Sequence, residues 1–333
     1  MRAILNFRRG FPGLAEALSE RGVTVVENDW APDAASGEGV AVCLVDFYEA
    51  VRAPWRSFGL HRRLRRVGAP LVALDRDAPW HKGVRARRLQ LARWLPLFDV
   101  YAAHSLQGAT GFAPAQIYFP NAAWPRVYGL GNVTLPQLRD PTRYSWDVSF
   151  VGNIDAARYR EHEDRVRFLA ELESRLRASG RRVLIRDGAG LDAPGQVEVI
   201  QRSHINLSVG AACDHGGVRS WGLPERCYGV PACGGFLLCD QREHARDDFV
   251  TGREWVTYDD IDDCMRKIDH YLTHLDEART IAEAAHARVM AHHTYHHRAS
   301  LLLDLAKAWR EGGNAAAVAV AGQYRQGAAE HEH

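Results

Sequence analysis

Residues 219–240 read RSWGLPERCYGVPACGGFLLCD, and the order of residue types in this stretch decides the fold class. Pro224 suits the first turn of a helix, where a missing N–H has no partner to lose. Pro231 falls two turns later and is expected to end or kink that helix. Gly234 and Gly235 let the backbone turn, and the apolar run 235–239 then reads as a buried strand. Loop, short helix, Gly-Gly turn and strand follow one another, as in an α/β unit with a parallel sheet.

The same alternation extends in both directions. Expected strands cover residues 3–7, 23–27, 40–46, 70–75, 99–102 and 116–119 in the first half. In the second half they cover 147–151, 182–186, 197–200, 205–209, 235–239 and 254–258. Helical spacing joins them at 13–21 and 165–179, and in a C-terminal pair at about 261–275 and 277–292. The 333 residues are enough for two domains. Residues 131–144, with Pro136 and Pro141 and little periodicity, read as the break. The expected organisation is an N-terminal domain at 1–135 and a C-terminal domain at 145–311, both α/β and Rossmann-like, facing a central cleft. A Gly- and Ala-rich tail at 312–333 is expected to fray.

Composition narrows the class without naming a chemistry. Hydrophobic residues make up 46% and charged residues 25%, and 42 Lys and Arg stand against 41 Asp and Glu. No stretch approaches the roughly 20 apolar residues of a membrane span. Six cysteines without a CxxC pair read as buried, reduced thiols. The N-terminal apolar run gives way at once to Arg8 and Arg9, unlike a secretory signal. The expected compartment is the cytoplasm, with a peripheral membrane position left open. A dehydrogenase is disfavoured, because RRGFPG at 8–13 stands where a GxGxxG would follow the first strand.

In such sheets ligands sit beyond the carboxyl ends of the strands. The start of the helix after Pro224 offers partial positive charge, and Arg226 offers forked bonds; both suit a diphosphate. Glu225 can accept two hydrogen bonds from a sugar diol, or it can be only a first-turn acid favoured by the helix dipole.

The segment resembles the donor domain of the GT-B glycosyltransferases of group 1 that include the CgeB-like spore maturation proteins. The resemblance continues in DVSFVGN at 147–153, DFVTGREWVTY at 248–258, IDHYL at 268–272 and HTYHHR at 293–298. It is looser in DRDAP at 75–79 and FPNAA at 119–123. It implies a GT-B fold and transfer of a sugar from a nucleotide-diphosphate sugar, with no cofactor and no metal in the transfer. Donor-binding candidates are then Gly152, Asn153, Arg158, Arg186, Glu225, Arg226 and Gly229. The family's usual Glu before the Ala-Cys-Gly turn is Gly229 here. Glu225, one helical turn earlier, is either its substitute or no substitute at all.

Acceptor-binding candidates are Arg8, Gly10, Asp75 and Asn121. Asp77 and His81, just beyond an expected strand end, are candidates for a general base in an inverting transfer. Asp77 also suits a simple turn before Pro79. His292, His293, His296 and His297 lack an acidic third ligand and read as structural, so no metal site is expected.

Between Arg52 and Arg93 stand twelve positive charges against Asp75 and Asp77, interleaved with Trp55, Phe58, Trp80 and Trp94. Either these are solvated helix faces or they form a patch for an anionic acceptor: a glycan, a lipid-linked substrate or DNA. Two alternatives to glycan transfer stand beside it: a phage-type DNA base glycosyltransferase, and a degenerate nucleotide-sugar-binding module that Gly229 would favour.

Overall fold

The computed structural model describes residues 1–32, 39–76, 84–105, 111–157, 162–210 and 221–329. The chain forms two compact units. One comprises Met1–Pro120 and the chain from Tyr295 onward; the other is Asn121–Thr294.

The first unit is built on six parallel strands: β1 (Arg2–Asn6), β2 (Thr24–Glu27), β3 (Val40–Asp46), β4 (Leu71–Asp75), β5 (Val100–Ala103) and β6 (Ala115–Tyr118). Their order is β2-β1-β3-β4-β5-β6. β3 and β4 are almost wholly buried, which is why they read as unbroken apolar runs rather than alternating ones. Helices α1 (Pro12–Ser19), α2 (Phe47–Arg52), α3 (Pro54–Arg66) and α4 (Ala86–Trp94) connect them. Phe47, Phe98, Tyr101 and Phe112 pack edge to face or tilted in the core.

The second unit holds five parallel strands: β7 (Trp146–Gly152), β8 (Val183–Asp187), β9 (Ser203–Ser208), β10 (Leu237–Asp240) and β11 (Val256–Tyr258). Their order is β11-β10-β9-β7-β8. The helices are α5 (Glu163–Ala178), α6 (Ala193–Gln201), α7 (Arg226–Ala232), α8 (Ala245–Asp248), α9 (Ile261–Thr273) and α10 (Leu275–His292). Strand order reverses between β7 and β9, where a doubly wound sheet opens its ligand crevice. A buried polar pair stands at that junction: Ser149 Oγ lies 3.1 Å from Asn206 Oδ1, while the Asn206 amide donates to the carbonyls of Ile200 and Phe236.

Four sequence expectations change. Residues 197–200 are helical, not a strand: the Asp192 carboxylate caps α6 by accepting from the Gly195 amide at 2.9 Å, and Pro194 starts the first turn. This cap overrides the strand preference of Val197, Val199 and Ile200. Residues 131–144 are no linker. Leu138 is buried, and Leu130, Leu135 and Leu138 close over Gly234, where a Cβ would come within 2.6 Å of Leu138. The chain passes between units after Pro120 and again after Thr294. Within the first unit Arg298 Nε donates to the Pro120 carbonyl at 2.8 Å; within the second, the Ala123 amide donates to the His293 carbonyl at 2.8 Å.

The fourth change is the C-terminus. Helix α11 (Tyr295–Ala329) runs through residues expected to fray, with one kink at Gly313, whose φ is +70°. The alanine that made the tail look featureless is the best helix former. Across the kink, Trp309 Nε1 donates to Asn314 Oδ1 and the Tyr324 hydroxyl donates to Asp304 Oδ2 at 2.6 Å. Burial and that bond push the Tyr324 hydroxyl up to about 12. Ala317 and Ala321 are buried. Deleting the chain from Gly313 is therefore expected to lower the melting temperature of the first unit by several degrees, as a loss of about 1–2 kcal/mol would. Calorimetry of the truncated chain checks this.

Candidate functional site

The carboxyl ends of β7, β8, β9 and β10 come together around Arg226. Its guanidinium carbon lies 4.5 Å over the ring of Phe150, on β7. It occupies space that any side chain at 152 would take, since a Cβ on Gly152 would stand 2.1 Å from Nη2. Gly188, just past β8, approaches the same point, with Gly152 Cα 3.4 Å from the Cβ position. Two glycines thus clear a floor on which one arginine lies flat.

A second arginine fixes the switch point. Arg165, in the first turn of α5, donates from Nε to the Val209 carbonyl and from Nη1 to the Asn153 carbonyl, both at 2.8 Å. It ties together the ends of β9 and β7. A third, Arg242, is almost fully buried. It pairs with Asp240 at 3.0 Å and donates to the Gly222 carbonyl at 2.8 Å, holding the segment that leads into α7. A Cβ at Gly210 would stand 1.4 Å from its Nη2.

Arg165 and Arg242 are thus committed to the backbone and to Asp240. Arg226 is not: among the described residues it has no hydrogen bond and no acidic partner. Burial, then the charge of Arg165, push its guanidinium down to about 10, so it remains a cation at neutral pH. A half-buried cation with no counter-ion among the described residues favours an anion beside it.

Helix α7 departs from the sequence reading in one respect. Its first amides are already used: Cys227 N donates to the Pro224 carbonyl, and Tyr228 N and Gly229 N to that of Glu225. Its N-terminus is therefore less open to a phosphate than expected. Pro231 lies in the last turn and the helix ends at Ala232, where Gly234, at φ +76°, reverses the chain. Gly229 lies one turn after Glu225, as its amide bond to that residue shows. Glu225 is exposed and close to Tyr128. Burial first, then the Glu225 charge, raise the Tyr128 hydroxyl above its ordinary value.

The other sequence candidates scatter. Asn153 makes a local turn, its Oδ1 accepting from the Asp155 amide at 2.8 Å, while its carbonyl joins the Arg165 clasp. Arg186 is exposed on edge strand β8, and its neighbour Asp187 caps the next turn by accepting from the Ala189 amide. Asn121 belongs to the second unit, where its amide donates to the Leu223 carbonyl at 2.9 Å, so it positions the approach to α7. In the first unit, Asp75 is buried at the end of β4 and accepts from the Tyr101 hydroxyl at 2.6 Å. Gly10 turns the chain at φ +67° and Arg8 is exposed beside it. Asp77, His81 and Arg158 lie outside the described residues. His293 Nε2 lies 2.9 Å from the Asp248 carbonyl oxygen, to which it donates, and no group of three metal-ligating side chains occurs among the described residues.

Sequence reasoning missed Arg165 and Arg242. Arg165 had one signal: a cation in a first helical turn, where Glu163 and Asp164 are the expected company.

Residues 141–304 match the family model described as "Glycosyl transferase-like". The second unit is a glycosyl transferase-like domain within a GT-B fold. The match spans nearly the whole second unit of the chain, including every strand of its sheet. Sucrose-phosphate synthase from Thermosynechococcus elongatus is similar in structure, with a TM-score of 0.58 at 11% identity over 98% of each chain. HepE from Anabaena in complex with UDP and glucose gives 0.55 at 13% identity, over 90% of this chain and 97% of that one. An α-glucosyltransferase in complex with UDP and a 13-mer DNA gives 0.51 at 13% identity, over 88% and 96%. At these identities the likeness establishes the fold. No curated protein matches the chain.

In this GT-B protein the glycine in α7 is not forced by space. A Cβ at 229 meets only Tyr128 Cβ, at 3.9 Å. Replacing Gly229 by Ala is expected to stabilise the second unit by about 0.5–1 kcal/mol, the usual helix-interior difference. Denaturant unfolding of the variant checks it.

Proposed function

We propose that the chain transfers a sugar from a nucleotide-diphosphate sugar to an acceptor hydroxyl, with the donor held on the second unit. The observation that carries this reading is the half-buried Arg226 guanidinium, which has no counter-ion among the described residues and lies beside Gly152 at the strand ends of the second unit. A diphosphate supplies the missing charge through forked hydrogen bonds. The bond between the sugar's anomeric carbon and the terminal phosphate oxygen breaks in the transfer, and negative charge builds on the departing diphosphate. A cation already positioned at the strand ends opposes that charge with little reorganisation.

Glu225 stands one turn before Gly229 and is proposed to accept from the donor's ribose. The acceptor is assigned to the first unit, with Arg8, Gly10 and Asp75 near its strand ends, and Asp77 or His81 as base if configuration inverts. The transfer is read as metal-independent because a guanidinium takes the role of the charge-neutralising group. The nucleotide, the sugar and the acceptor are left to experiment, and DNA is one acceptor to include.

Arg226→Ala is expected to weaken UDP binding about 10- to 100-fold, the range for a lost charge-assisted bond, while the melting temperature holds. Gly152→Ala is expected to act in the same direction, because its methyl group displaces the guanidinium rather than any backbone. Titration calorimetry with UDP and GDP reads both, and unchanged affinity for either nucleotide in Arg226→Ala would refute the donor assignment. Transfer or slow hydrolysis of the nucleotide-sugar, measured with and without EDTA, is expected to be the same; loss with EDTA would refute metal independence, and no turnover at all would favour a binding module.

A further inference from the structure

Helix α3 carries its charge and its exposed aromatic ring on one outward stripe. Ser57, Leu60, His61 and Leu64 are buried, and Trp55, Arg62, Arg63 and Arg66 recur at helical spacing on the opposite side. The Trp55 side chain is 69% exposed. Trp94, at the end of α4, is 87% exposed. Neither indole has a ring partner among the described residues. The end of α4 lies beside the middle of α3, since His61 Nδ1 is 2.7 Å from the Pro96 carbonyl oxygen. Beside α3 opens a hollow of about 540 Å³, whose lining includes Phe58, Arg62, Arg66 and Pro96, with the Asp99 carboxylate paired to Arg65 on its wall.

The charge on this face is not balanced locally. No acidic residue occurs between Glu49 and Asp75, nor between Asp77 and Asp99. Arg65 pairs with Asp99 at 3.0 Å, and Arg56 stacks over Trp30. Arg62, Arg63, Arg66, Arg87 and Arg88 have no acidic partner among the described residues. Solvated helix faces do carry free arginines, but they do not ordinarily carry two bare tryptophans among them.

We propose that the outer faces of α3 and α4 dock the protein on an anionic phospholipid surface. The arginines meet the phosphodiester headgroups, with which guanidinium makes forked bonds. Trp55 and Trp94 enter the interfacial zone, where an indole gains from an apolar side and a wet side at once. The hollow beside Arg62 and Arg66 has room for one phosphorylated headgroup, Arg65 being paired with Asp99. The exposed indoles favour a bilayer over a nucleic-acid duplex, whose grooves and phosphates the arginines alone would serve. The proposal stands independently of the donor-site reading, because none of these residues belongs to the second unit.

The test is sedimentation of the full chain with vesicles of phosphatidylcholine alone and of phosphatidylcholine mixed with phosphatidylglycerol, alongside a gel shift with duplex DNA at the same salt. Binding is expected only to the anionic vesicles. The triple variant Arg62→Glu, Arg63→Glu, Arg66→Glu is expected to lose about a hundredfold or more in affinity, since each basic side chain near such a surface contributes about fivefold. The double variant Trp55→Ser, Trp94→Ser is expected to keep low-salt binding and to lose the quenching of tryptophan fluorescence by brominated lipid. Melting temperatures and UDP affinity, read on the same samples, are expected to match wild type and separate this face from the donor site. Equal binding to both vesicles, no binding, wild-type sedimentation by the triple variant, or tighter binding to DNA than to vesicles would each overturn the proposal.

Discussion

The second unit depends on one close approach: the Arg226 guanidinium lies over Phe150 because residue 152 has no Cβ. Everything near it serves that placement. β7 ends where it does so that Gly152 stands beside Gly188, and the first turn of α7 starts where Arg226 can reach back across the strand end. Arg165 holds the ends of β7 and β9 at fixed separation by two carbonyl bonds, and Arg242 holds the approach to α7 by another. Two arginines are held by structure, and the third has no acidic partner among the described residues. The site is preorganised at some cost in stability, which is the ordinary relation between a binding site and its scaffold.

Around α7 and its neighbouring strands, some glycines are required by close packing and Gly229 is not. Gly234 reverses the chain under three leucines, Gly235 sits against Ile200 and Asn206, and Gly210 yields its space to Arg242. Gly229 has ordinary room around it. Its lack of a side chain is therefore a feature of this sequence and not of the packing, and Glu225, exposed one turn earlier, is the carboxylate that remains on that side of α7.

Much of the architecture was legible because fully buried parallel strands announce themselves as apolar runs. Residues 40–46 and 71–75 are such runs, and they are strands. Residues 197–200 look the same locally and are helical, since the deciding information is the Asp192 cap and Pro194 upstream. The tail misled for the opposite reason: alanine and glycine carry no pattern, yet Tyr324 and Trp309 fold the second part of α11 back on the first. Gly152 and Arg226, singled out by spacing and resemblance, are brought together by the fold. Arg165 and Arg242 were not, because a residue that bonds only to carbonyls from distant strands leaves no local trace. Asn121 and Asp75 were readable as polar residues at element ends, but their bonds to Leu223 and Tyr101 come only with the fold.

A crystal structure of the chain with UDP tests the central claim most directly. The account predicts diphosphate oxygens within hydrogen-bonding distance of the Arg226 guanidinium, above Gly152, with the Arg165 clasp unbroken. A nucleotide bound elsewhere, with Arg226 still uncompensated over Phe150, would contradict it.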